Sequence, residues 1–118
     1  MKLKVVPLRE YHLVEVEEPR LDAAIATAFK DRMREITPQA KGLVMLDLRN
    51  VNFMDSSGLG AVIAVLKSMP QGRKLELTGL TPNVERVFRL TRMDLVFDIR
   101  PNADGNAPQQ PTQEGDKE

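Results

Sequence analysis

Cysteine is absent from this chain, and histidine occurs once, at His12. The first absence excludes disulfides, thiol catalysis and Cys-based metal sites, and the second leaves little for a zinc or iron centre. An excess of charge of one sign is missing too: seventeen Lys and Arg balance seventeen Asp and Glu. A formal net charge of zero argues against a nucleic acid or an anionic membrane held by bulk electrostatics, so recognition has to be local. No run approaches the ~18 apolar residues of a membrane span, and Met1–Pro7 has no long apolar core of the signal-peptide kind. The expectation is a soluble cytoplasmic protein without metal or cofactor.

The spacings of common catalytic motifs are missing as well. A nucleophile elbow needs G-x-S-x-G, yet Met54 stands two before Ser56 and Asp55 two before Ser57. A Ser-His-Asp triad would have to recruit His12 from an early strand. Gly58-x-Gly60 does not continue into a dinucleotide loop, because Ile63 takes the third glycine's place, and no P-loop Gly-Lys-Ser/Thr occurs. Nothing here points to an enzyme.

What is present is an alternation of strand and helix patterns. At 118 residues the chain suits one domain able to bury about two-thirds of the surface its unfolded form exposes. Leu3–Val6 and Tyr11–Val16 have strand character around Pro7 and predict an opening hairpin. Asp22 can cap a helix whose apolar positions Ile25, Ala28, Phe29, Met33 and Ile36 follow helical spacing until Pro38. The apolar run Leu43–Leu48, a helix over Ser57–Met69 and the alternating Lys74–Thr78 make a βαβ unit, which implies parallel pairing. Thr81-Pro82 suits the start of a helix with Val84, Val87 and Phe88 as its stripe, and Leu95–Ile99 returns to strand. The order ββαβαβαβ predicts an α/β fold, a mostly parallel mixed sheet with helices packed on it, over residues 1–100. Residues 101–118 hold three Pro, two Gly, three Gln and two Ala as their apolar content, a composition that predicts a disordered tail.

The richest stretch is Asp55-Ser56-Ser57-Gly58-Leu59-Gly60, where the buried strand pattern gives way to Leu59, Val62, Ile63, Leu66 and Met69 at helical spacing. Helix N-terminal N–H groups lack intrahelical partners and carry partial positive charge, so Asp and Ser cap them and a phosphate is tolerated there. Plain capping and a phosphorylation site fit these residues alike. Gly58 and Gly60 each cost about 1 kcal/mol of helix propensity relative to alanine, which a partner's close approach or internal packing would explain. Gly60, Ala61, Ala64 and Ser68 offer a small, weakly polar surface for docking. Asp22 is expected at the same C-terminal end of the strands as Ser56.

The string Val51-Asn52-Phe53-Met54-Asp55-Ser56-Ser57-Gly58-Leu59-Gly60 closely resembles the signature of the anti-sigma factor antagonists, single-domain members of the STAS family. Leu21-Asp22-Ala23-Ala24 is similar to the start of that family's first helix, and Leu77–Val84 to its fourth strand and third helix, so the resemblance spans residues 3–100. It implies that the unmodified protein binds an anti-sigma factor of histidine-kinase-like fold and frees a sigma factor. It also implies that this kinase phosphorylates Ser56, the serine after the motif's Asp, and that a PP2C-type phosphatase reverses the step. Asp22, Asp55, Ser56, Ser57, Gly58, Leu59, Gly60, Ala61 and Ala64 are then the expected partner contacts. A STAS scaffold without the phosphoswitch, such as a small subunit of a lipid-transport ATPase, is the rival. Two departures stand out: where the family's final helix usually follows the last strand, this chain either lacks it or has a poor helix former held by context, and Thr91-Arg92-Met93-Asp94 lacks the glycine that related chains commonly carry at that turn.

Overall fold

The computed structural model describes residues 1–40 and 42–101. The hairpin forms as expected, with β1 (Leu3–Pro7) antiparallel to β2 (Tyr11–Val16). β2 then pairs in parallel with β4 (Leu43–Asp47), β4 with β6 (Lys74–Thr78), and β6 with β7 (Asp98–Arg100). The five-stranded order is β1-β2-β4-β6-β7. Two short strands missing from the expected ββαβαβαβ order, β3 (Arg20–Leu21) and β5 (Phe53–Met54), form a second, parallel sheet of their own.

Alternation along the central strands sorts side chains onto two faces. Val14, Val16, Val44, Leu46, Leu75 and Leu77 enter one core with Phe29 and Met33 of helix α1 (Ala26–Ile36) and Val62 of helix α2 (Ser56–Lys67). Helix α3 (Pro82–Leu90) adds Val84 and Phe88, and Phe88 meets Phe97 edge to face at 5.6 Å. The opposite face carries Asp47, Glu76 and Thr78, all buried although polar. Asp47 is held by the Arg49 guanidinium at 2.7 Å, and Glu76 by Arg100 at 2.9 Å. A buried carboxylate is tolerated only with such a partner.

Several expectations need correction. Helix α1 begins at Ala26, not after Asp22: the Asp22 carbonyl accepts the Ile25 and Ala26 N–H groups, and its carboxylate accepts Ala24 N–H at 3.1 Å. Asp22 makes an Asx-type turn before the helix, the competing use of the same side chain. Ala28 is exposed and Ala26 takes its buried place. The last strand starts at Asp98 instead of Leu95, because Met93–Leu95 form a 3₁₀ turn first. Thr81 precedes α3 as expected, yet its hydroxyl donates to the Val51 carbonyl at 2.7 Å and does not cap the helix. Apart from Pro101, the tail lies outside the described residues. No helix among those described is long and apolar enough to cross a membrane.

Candidate functional site

β2, β4 and β6 run parallel, so their C-terminal ends share one edge of the sheet. β3 and β5 continue from β2 and β4 at that edge, and pairing Leu21 with Met54 lays residues 20–24 beside residues 53–58. The site is this junction.

Asp55 closes it. Its backbone is extended (φ −99°, ψ −175°), and its Oδ1 accepts the Gly58 N–H at 2.8 Å, which makes it the N-cap of α2. Its Oδ2 accepts the Ala23 N–H at 3.2 Å, so one carboxylate ties the helix start to the loop after β3. Asp55 N–H itself donates to the Leu21 carbonyl at 3.4 Å. The Gly58 hydrogen bond, followed by that from Ala23, holds the Asp55 carboxyl below the usual carboxylate range against the opposing effect of burial.

Gly58 is buried for a reason internal to the chain. A Cβ there would fall inside the Leu21 carbonyl group and 3.2 Å from Met54 Cγ, so the approach that requires glycine is that of β3. Gly60 is the opposite: exposed, with nothing within 4 Å of where its Cβ would stand. Ser56 and Ser57 occupy the first two helical positions and are both exposed.

Asp22 lies at this junction, half-buried, with its Oδ2 3.1 Å from Arg20 Nε. Sequence reasoning missed Arg20 and Phe53. The Arg20 guanidinium rests over the Phe53 ring at 4.6 Å, and Phe53 is 42% exposed beside the serines. Each belongs to a two-residue strand, too short for any periodicity to announce.

The expected contact surface shrinks. Leu59 and Ala61 point into the core, and with Gly58 they leave the surface; Gly60 and Ala64 remain on it, exposed and half-buried respectively. The face is rotated because α2 is apolar on nearly every side: Val65, not Leu66, reaches the core, while Ile63 and Leu66 are half-buried. No phase can be read from a run such as Ala61–Leu66.

This geometry can be set beside known proteins. The STAS domain model matches residues 8–105. The anti-sigma-B factor antagonist of Listeria monocytogenes is 33% identical over 87 residues, covering 72% of this chain and 75% of that protein. Among solved structures, an anti-sigma factor antagonist from Mycobacterium paratuberculosis superposes with a TM-score of 0.78 at 21% identity, covering 87% of each chain. The Bacillus cell fate determinant SpoIIAA in its phosphorylated form gives 0.65 at 17% identity, covering 90% of this chain and 96% of that one. The two superpositions establish the fold, and the sequence matches establish more: the chain belongs to the STAS domain family, among its anti-sigma factor antagonists.

Proposed function

We propose that this protein is a stoichiometric binding switch, which captures an anti-sigma factor through the α2 start when Ser56 is unmodified and releases it when Ser56 is phosphorylated. The carrying observation is Ser56 itself: exposed at the first position of α2, on a helix start already braced by Asp55. A phosphate there adds about −1.5 to −2 charges, which the helix N-terminus tolerates. Desolvating that charge beside Asp55 and Asp22 in an interface is unfavourable. The fold survives and the complex is lost.

Gly60 supports the same reading. An exposed glycine inside a helix costs about 1 kcal/mol against alanine, and nothing within the described chain requires it, so a partner's close approach supplies the reason. His12 lies near the start of β2, four residues before its C-terminal end at Val16. At ~3.3 Å per residue that places it ~13 Å from the edge where Ser56 sits, too far for a nucleophile's base. The proposed partner is a kinase of histidine-kinase-like fold, with a PP2C-type phosphatase restoring Ser56.

The test is calorimetric titration of the kinase-fold anti-sigma factor with wild type, Ser56→Ala and Ser56→Asp. Ser56→Ala is expected to bind as wild type, and Ser56→Asp about tenfold or more weakly with unchanged melting temperature. Equal affinities for the two variants would favour the scaffold reading, in which binding ignores Ser56.

A further inference from the structure

Helices α1 and α2 pack together, and at the end of α2 remote from Ser56 they leave an open groove. Lys30 and Arg34 of α1 form one wall; Ala64, Val65 and Ser68 form the other and the floor. Lys30 and Arg34 are one helical turn apart, as are Ala64 and Ser68, so both walls present consecutive turns of a single face.

The charge of this groove is unbalanced. Among the described residues no carboxylate lines it. Arg34 meets Asp31 at 3.2 Å, a pair on the solvent side with Arg34 73% exposed. Lys30 is half-buried and has no ion pair among the described residues.

The guest's chemistry follows from what the walls lack. The Ser68 hydroxyl is committed to the Val65 carbonyl at 3.1 Å, and the groove lies at the C-terminal end of α2, whose N–H groups are already bonded within the helix. Free phosphate, which favours converging N–H donors, is poorly served here. A carboxylate carried on an aliphatic stem is well served: the stem lies on Ala64 and Val65, and the charge sits between Lys30 and Arg34.

We infer that this groove receives a glutamate side chain from the same partner that covers Ser56. Positions 56, 60, 64 and 68 form an i+4 ridge that drifts about 40° per step, so it winds about 120° around α2 from the serine past exposed Gly60 to the groove. Twelve residues at ~1.5 Å each span ~18 Å, well inside a protein interface of ~800 Å² per side. The inference borrows only its partner from the switch proposed above.

Two arms test it. In titration against the kinase-fold anti-sigma factor, K30E/R34E is expected to bind about tenfold or more weakly at ~0.1 M salt, with the difference shrinking as salt rises. Circular dichroism and melting temperature check that the variant is folded. Wild-type affinity for K30E/R34E, with Ser56→Asp still impaired, overturns the groove and leaves the switch standing; indifference to Ser56→Asp removes the switch instead. The second arm needs no anti-sigma factor: a blocked tetraglutamate peptide is titrated into the full chain by NMR. Shifts at the Lys30, Arg34, Ala64 and Ser68 amides that vanish in K30E/R34E support the site. Shifts confined elsewhere, or none at millimolar peptide, overturn it.

Discussion

The turn that begins α2 and the turn that ends α3 meet the same need by different means. A helix end leaves backbone groups without partners, and something must satisfy them. At the start of α2 the answer is shared among three segments: Asp55 accepts from Gly58 and from Ala23, and Leu21 accepts from Asp55. At the end of α3 the answer is local. Thr91 returns its hydroxyl to the Val87 carbonyl at 2.7 Å, and Arg92 adopts a left-handed φ of 65° so that the chain can turn. Leu90 and Leu95, 75% and 74% exposed, flank that turn with little cover. The braced end carries the proposed phosphorylation site and the unbraced end carries none of its residues. A helix start locked by β3 and its loop can accept a new charge without moving, which is what a switch acting through its partner demands.

Breaking the brace gives the largest expected effect. In Gly58→Ala the new methyl would overlap the Leu21 backbone carbonyl, which is not a flexible side chain able to swing away. β3 must separate from α2, taking the Asp55–Leu21 and Asp55–Ala23 hydrogen bonds with it. The expected destabilisation is about 3 kcal/mol, at the upper end for overpacking, and denaturant unfolding measures it. A loss within ~0.5 kcal/mol would mean that the brace is loose.

Removing the cap alone comes next. Asp55→Ala keeps the backbone approach but leaves the Gly58 and Ala23 N–H groups to water, and an N-cap loss in a domain of this size lowers the melting temperature by roughly 5 °C. The pH dependence has a definite sign. The folded Asp55 carboxyl titrates below its unfolded value, so its contribution is fully present above the unfolded value and is lost as pH falls through the folded one. Wild type and Asp55→Ala are therefore expected to differ in melting temperature at neutral pH and to converge in acid. A gap that widens on acidification contradicts the hydrogen-bonding assignment.

The same contrast explains what could be read from the sequence. β4 was legible as the near-continuous apolar run Leu43–Leu48, and β6 because Leu75 and Leu77 alternate with polar residues. The start of α2 was legible because Asp and Ser at a strand-to-helix junction have few other uses. The reason for Gly58 was not: it lies in Leu21, distant in sequence, and only the pairing of two unannounced strands brings that carbonyl near. Asp22 misled because capping a helix and closing a turn favour the same residue. Leu95 and Val96 misled in the opposite way, being apolar yet exposed on and just after a 3₁₀ turn.

The smallest expected effect sharpens the comparison from the other end. Arg92 is the non-glycine residue with positive φ among those described. For a side chain with a Cβ the left-handed region costs about 1–2 kcal/mol, offset in part because glycine loses more backbone entropy on folding. Nothing else binds this position to arginine: its backbone N–H donates to the Arg89 carbonyl at 3.2 Å, a bond that glycine makes equally well, and its side chain is exposed. Arg92→Gly is therefore expected to stabilise the protein by about 0.5–1 kcal/mol, a rise of a few degrees in melting temperature. Because this turn is tied to itself and not to the α2 start, affinity for the anti-sigma factor is expected to stay unchanged. Thermal unfolding and the same titration read the two quantities. Stabilisation without altered binding would show that the two ends are energetically separate, and a change in affinity would show that the unbraced turn is coupled to the switch.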